Sequence, residues 1–147
     1  MPQSLIKILV HIVFSTKARI DLIDPDIEDE LYKYIHGIVK NNGARLIIGN
    51  GTANHTHLLT SMGKNDVPAL VGDIKRSTSI WLKTKGYKKF YWQKGYGAFS
   101  IGQSQVEEVS RYIRGQKEHH SGQSYEDEFR SLCRKYEIEI DEEYCWH

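Results

Sequence analysis

The chain has 147 residues, 39% hydrophobic and 27% charged, a size and composition that suit one globular domain with one core and exclude a disordered chain. No apolar run nears the roughly 20 residues that span a bilayer; Leu5 to Phe14 is interrupted by Lys7 and His11, and no secretory leader pattern opens the N-terminus, so a cytoplasmic protein without membrane contact is expected. The net charge of +1 hides a gradient: Ser61 to His119 carries eleven Lys or Arg against five Asp or Glu, whereas His120 to His147 carries three against eight.

The basic middle suits a polyanion, because neutralising phosphates releases counterions, although a Lys-rich stretch is also an ordinary solvated face. Cys133 and Cys145 match no metal or redox spacing and read as free thiols.

In chain order, Leu5 to Ser15 is β-branched and aromatic and reads as a buried strand. A helix opens at Pro25 with Asp24 as its cap and acids in its first turn; Leu31, Tyr34, Ile35 and Ile38 face the core, and Asn41-Asn42-Gly43 stops it. Arg45 to Gly49 reads as a second strand, Asn50-Gly51 as a tight turn, and His55 to Met62 as a third strand completing a hairpin. Asp66 to Lys85 follows as a helix that buries Leu70, Ile74, Ile80 and Leu82. Phe90 to Ser100 supplies a fourth strand. Ser104, with Glu107 closing a capping box, starts a third helix reaching about His119, and a last helix over about Tyr125 to Tyr136 precedes an acidic tail from Glu137 to Glu143, with Trp146 placed to dock it.

The order β-α-β-β-α-β predicts an α+β fold, the ferredoxin-like split βαβ arrangement: an antiparallel sheet with helices on one face, plus an additional C-terminal helix bearing Tyr112. Residues 1–147 form one domain, with a catalytic core over about 5–120 and an acidic helix and tail over about 121–147.

Three features carry chemistry. His55-Thr56-His57 lies on a strand, where side chains at i and i+2 share a face, so two imidazoles converge on one divalent ion or simply hydrogen-bond on a half-exposed strand. Mg²⁺ or Mn²⁺ suits the pair if the remaining ligands are oxygens. Tyr112 and Gln116, at i and i+4, share a helix face. A phenol there can attack phosphorus while the amide oxygen completes the metal ligands; alternatively the two are packing and a surface amide. Tyrosine, with a free pKa near ~10, needs an adjacent cation or base to act as nucleophile. Lastly, Lys75, Arg76, Lys83, Lys85, Lys88 and Lys89 are candidate phosphate contacts, with Trp81 or Tyr87 for stacking. His119 and His120 serve either a phosphate or a helix dipole, and His11 reads as a satisfied core residue.

His55-Thr56-His57-Leu58-Leu59, then Trp92-Gln93-Lys94-Gly95-Tyr96-Gly97-Ala98-Phe99-Ser100, then Tyr112-Ile113 with Gln116, His119 and His120 occur in one order. Together they resemble the single-tyrosine HUH transposases, the TnpA-type insertion-sequence enzymes and their relatives associated with repetitive extragenic palindromes. The resemblance implies a DNA transposase. Tyr112 would attack a phosphodiester of single-stranded DNA, keep the 5′-phosphate and release a 3′-OH, and a second 3′-OH would later rejoin the strand. It implies Mg²⁺ or Mn²⁺ on His55, His57 and Gln116, hairpin-bearing single strands as substrate, and a homodimer whose sites combine His55 and His57 of one chain with Tyr112 and Gln116 of the other; Gly95, Gly97 and Gly102 would permit that crossing. Thr56 stands where the family has a bulky hydrophobe, and its core-facing hydroxyl needs a partner.

Two other classes fit the pattern less well. A non-catalytic single-stranded nucleic-acid-binding module on a ferredoxin-like sheet would display aromatic rings on that sheet, where His55 to Met62 offers histidines. A metalloprotein of unrelated chemistry would need His-Glu-x-x-His or cysteine spacings that are lacking.

Overall fold

A computed structural model describes residues 3–119 and 122–147, the side chain of His119 excepted. Four strands, β1 (Leu9–Ser15), β2 (Arg45–Thr52), β3 (His55–Ser61) and β4 (Gly97–Ile101), form one sheet in the order β2-β3-β1-β4 with every neighbouring pair antiparallel. That is the split βαβ order expected from the sequence.

The sheet is covered on both faces. Helices α1 (Pro25–Asn41) and α2 (Val67–Thr84) pack on Val10, Ile12, Phe14 and Leu58. Asp24 caps α1 by accepting from Asp26 N at 2.9 Å, and Asp66 caps α2 by accepting from Ala69 N at 2.9 Å, each satisfying an N–H that the helix leaves unpaired. The opposite face carries Leu9, His11 and Val13 of β1 and His55, His57 and Leu59 of β3, because successive side chains of a strand alternate. Against it pack α3 (Val106–Arg114), through Val109 and Ile113, and α5 (Tyr125–Lys135), through Tyr125, Phe129 and Cys133. The short helix α4 (Gln116–His119) lies between them in the chain.

Several boundaries differ from expectation. β1 begins at Leu9, and Leu5 is 83% exposed. Asn50-Gly51 is not a turn: β2 runs through Thr52, and a Cβ on Gly51 would stand 2.1 Å from the His55 carbonyl oxygen and 2.9 Å from the Tyr32 hydroxyl, so glycine serves close approach here. Ile80 is 61% exposed; Leu70, Val71, Ile74, Thr78 and Leu82 form the buried face of α2, and position 80 points away from 78 and 82 at 3.6 residues per turn. The fourth strand starts at Gly97, with Trp92 only bridging Thr16. Ser104 does not cap the tyrosine helix; Gln105 Oε1 instead accepts from Gly102 N at 2.9 Å, and the helix starts at Val106 after a single 3₁₀ turn.

The acidic tail docks on its own chain. Trp146 packs edge-on to Phe129 at 5.8 Å between ring centroids, and its carbonyl accepts from Arg19 Nη1 at 2.6 Å. No helix among the described residues is long and apolar enough to cross a membrane.

Candidate active site

The core-flanking face of β3 presents two imidazoles side by side, their ring centroids 5.2 Å apart and both rings buried. Their Nδ1 atoms are engaged. His55 Nδ1 meets Asn54 Oδ1 at 2.7 Å and Thr52 Oγ1 at 2.9 Å, and His57 Nδ1 meets His11 Nε2 at 2.8 Å. Such outer partners fix ring orientation and, with Nδ1 protonated against Asn54, leave the His55 Nε2 lone pair for an ion. His11 is the satisfied buried residue expected; burial, then the neighbouring His57, lowers its pKa to about 3, so it stays neutral.

Tyr112 and Gln116 arrive on α3 and α4. Ile113 and Val109 bury against Leu9, Leu59 and Ile101, and Asn50 Nδ2 donates to the carbonyls of Ile113 (3.0 Å) and Arg114 (3.1 Å), tying the end of α3 to β2. The helix breaks at Gly115, so the pair does not share one uninterrupted helix, yet both side chains reach the histidines. Gln116 is fully buried with Oε1 3.1 Å from His55 Nε2, and the Tyr112 ring lies edge-on 5.7 Å from that of His57.

A fifth residue joins them. Glu128 of α5, 2% exposed, places Oε1 at 2.8 Å from His57 Nε2 and 3.4 Å from His55 Nε2. Its Oε2 accepts from Gln116 Nε2 at 3.1 Å and from the Tyr112 hydroxyl. The ligand atoms of His55, His57 and Glu128 lie within 4.8 Å of one another, so two imidazole nitrogens and a carboxylate face a common point, with the Gln116 amide oxygen beside them. This donor set fits a divalent ion of borderline-to-hard preference. Burial, then the Glu128 charge and its hydrogen bond, pushes the Tyr112 phenol well above its ordinary pKa.

Glu128 was not singled out from the sequence, although a signal was there. It sits with Tyr125, Phe129 and Leu132 at helical spacing, on the apolar side of a helix whose first turn is otherwise acidic for its dipole. It also belongs to the acidic C-terminal segment, beyond the catalytic core expected over about 5–120.

The remaining candidates are placed as follows. Thr56 faces α1, where its hydroxyl pairs with the Tyr32 hydroxyl at 2.7 Å. Lys75 is not a free phosphate contact: Nζ donates to the carbonyls of Gln93 (2.9 Å), Lys94 (3.2 Å) and Gly95 (2.7 Å). Arg76 pairs with Asp73 at 3.3 Å, Lys83 donates to Ser79 Oγ at 2.8 Å, and Lys85, Lys88 and Lys89 are exposed. Trp81 is half-buried against Tyr34, and Tyr87 donates to Asp24 Oδ2 at 2.9 Å. His120 and the side chain of His119 lie outside the described residues.

The profile of the IS200-like transposases matches residues 4–116. The chain belongs to this transposase family. Among solved structures it is similar to a candidate transposase from Deinococcus radiodurans R1, at 19% identity and TM-score 0.58 over 79% of this chain and 95% of that one. It is also similar to a REP-associated tyrosine transposase bound to a REP hairpin, at 15% identity and TM-score 0.62 over 82% of this chain and 73% of that one. At these identities the likeness is one of fold. No curated protein sequence matches the chain.

Within one chain of this IS200-like transposase, His55, His57, Tyr112 and Gln116 meet at the carboxylate of Glu128. Gly97 is locked in β4, where a Cβ would meet Phe129 at 2.6 Å, and only Gly102 to Gln105 separate β4 from α3, which turns straight back onto the sheet that Ile113 helps to cover.

Proposed function

We propose that this IS200-like transposase is a metal-dependent single-stranded DNA endonuclease and strand transferase, with Tyr112 as nucleophile and hairpin-bearing single strands as substrate. The supporting observation is the convergence of Tyr112, His55, His57 and Gln116 on the buried carboxylate of Glu128. The Tyr112 oxygen attacks phosphorus and bonds to the 5′-phosphate, while the 3′ oxygen leaves and takes up a proton as a free 3′-OH. Attack by another 3′-OH reverses the bonding and restores the phenol. Glu128 Oε2, which accepts the hydrogen bond from Tyr112, is positioned to take the phenol proton.

His55, His57 and Glu128, with Gln116 Oε1, would hold Mg²⁺ or Mn²⁺. When bound, that ion would supply charge neutralisation at the scissile phosphate. Asn54 and His11 orient the two imidazoles, and the packing of Ile113 fixes the tyrosine. Among the described residues helices pack on both faces of the sheet, which disfavours a non-catalytic module that stacks bases on an open sheet.

The test is incubation with Mn²⁺ and labelled single strands from the flanks of the protein's own gene. A protein–DNA adduct that survives denaturation is expected, absent in chelator and scarce with the fully duplex form; full activity in chelator contradicts the metal assignment. The one-chain geometry supports sites assembled within a protomer even in a homodimer. Mixed His55→Ala and Tyr112→Phe chains should then stay at background after subunit exchange, whereas recovery towards about a quarter of the sites would restore the shared arrangement.

A further inference from the structure

A cavity of about 530 Å³ is lined by none of His55, His57, Tyr112, Gln116 and Glu128. Lys17, Arg19 and Lys94 line it, together with Tyr91, Trp146 and His147. Tyr91 is 52% exposed, with Lys17 Nζ 5.7 Å and Lys83 Nζ 4.2 Å from its ring centroid. Its size lies within the roughly 300–1,000 Å³ of small-ligand pockets, and cations combined with an accessible aromatic face are what a single strand needs, since phosphates and bases are then served together.

Two observations set the wall at Ala18 and Arg19 apart. Arg19 Nε is buried without a hydrogen-bond partner among the described residues, the Glu126 Oε2 atom standing 3.8 Å away, and such orphaned donors are uncommon in native structures. Ala18 and Arg19 both hold φ at 55°, a left-handed conformation that non-glycine residues adopt only where the surroundings enforce it. The enforcing contacts lead to the active site. Asn54 Nδ2 donates to the Arg19 carbonyl at 3.3 Å while Asn54 Oδ1 meets His55 Nδ1. Gln93, in the cavity wall, accepts from the Tyr125 hydroxyl at 3.3 Å, and the Tyr125 ring lies 4.9 Å from that of His55. The cavity is thus one residue away from the imidazole pair.

We propose that this cavity binds a nucleotide of the single strand flanking the scissile phosphate, with its base on Tyr91 and its phosphate on Lys17 and Arg19. The proposal deepens the nuclease reading and rests on it for the identity of the strand.

The test uses the full chain carrying Tyr112→Phe, so that binding is read without cleavage, and a fluorescein-labelled 12-nucleotide oligothymidylate in anisotropy titrations. Tyr91→Ala and Lys17→Ala should each weaken binding by about tenfold, Tyr91→Trp should keep it within about twofold, and Lys40→Ala, on exposed α1, should leave it unchanged. Oligothymidylate substituted with 5-iodouracil should crosslink at Tyr91. Unaltered binding in both alanine variants, equal losses for a blunt duplex, or no oligothymidylate binding by the parent protein would overturn the proposal. The nuclease reading is scored separately on chains with Tyr112 intact: an adduct that forms normally in Tyr91→Ala alongside unchanged binding removes the cavity's role alone, and binding through Tyr91 with no adduct removes the nuclease alone.

Discussion

Replacing Glu128 by Gln keeps the shape and removes the charge. In the metal-free protein that charge is buried at 2% exposure and shares its oxygens with His55, His57, Gln116 and Tyr112, and taking an ion out of water costs several kcal/mol even where it is partnered. The metal-free Glu128→Gln protein should therefore melt at or above the wild-type temperature. With the ion the order reverses. Metal at about 100 times its Kd stabilises the wild type by about 2.7 kcal/mol, which is about 5–11 °C for a chain of this size. Loss of a carboxylate ligand that weakens affinity about 100-fold leaves only about 0.4 kcal/mol, or roughly 1 °C, at the same metal concentration. Thermal unfolding with and without Mn²⁺ measures both quantities. Glu128→Ala gives an independent reading of the metal-dependent increment, since alanine offers no oxygen to the ion. An increment as large as wild type in both variants would refute the role of Glu128 at the site.

Other consequences concern residues around the site. Thr56→Val keeps the β-branched shape but deprives the Tyr32 hydroxyl of its 2.7 Å partner, so stability should fall by about 1–3 kcal/mol in denaturant titrations with DNA cleavage unchanged. Ile113→Ala removes the fully buried side chain that seats α3; it should cost about 2–5 kcal/mol and lower the cleavage rate with little change in metal affinity. Burial lowers the pKa of Lys75 from 10.5 to about 8, so between those values the unfolded chain binds more protons and stability rises with pH. The stability of the wild type relative to Lys75→Met should accordingly increase from about pH 8 to 10; a flat difference would mean that the three carbonyls keep the ammonium charged.

The fold was legible because its signals are local and mutually consistent. Asp24 before Pro25 and Asp66 before Pro68 mark helix starts that the structure keeps, and the β-branched run ending at Ser15 is the central strand. Errors arose where a residue type serves two purposes. Asn50-Gly51 has the composition of a turn, but Gly51 is required by the approach of Thr56 and Tyr32, and only tertiary packing distinguishes the two. Ile80 is apolar without being on the apolar face, which follows from the position of Thr78 once the helix register is known. The convergence of His55 and His57 was legible because side chains two apart on a strand share a face, whereas Tyr112 and Gln116, expected on one helix, converge across the break at Gly115. Glu128 was not legible, for it lies 71 residues beyond His57, and among Glu126 and Asp127 a third acid reads as a helix-dipole residue. The seat of α3 is likewise set by packing of residues distant in sequence, here Val109 and Ile113 on Leu9, Leu59 and Ile101.

The most direct measurement is peptide mapping of the covalent product. After reaction with Mn²⁺ and single-stranded flanking DNA, digestion with protease and nuclease should leave a nucleotide remnant joined through its 5′-phosphate to the peptide containing Tyr112, and Tyr112→Phe should give no adduct while binding the same strand within a few-fold. An adduct mapped to Tyr96 or Tyr125, or formed undiminished by Tyr112→Phe, would contradict the account.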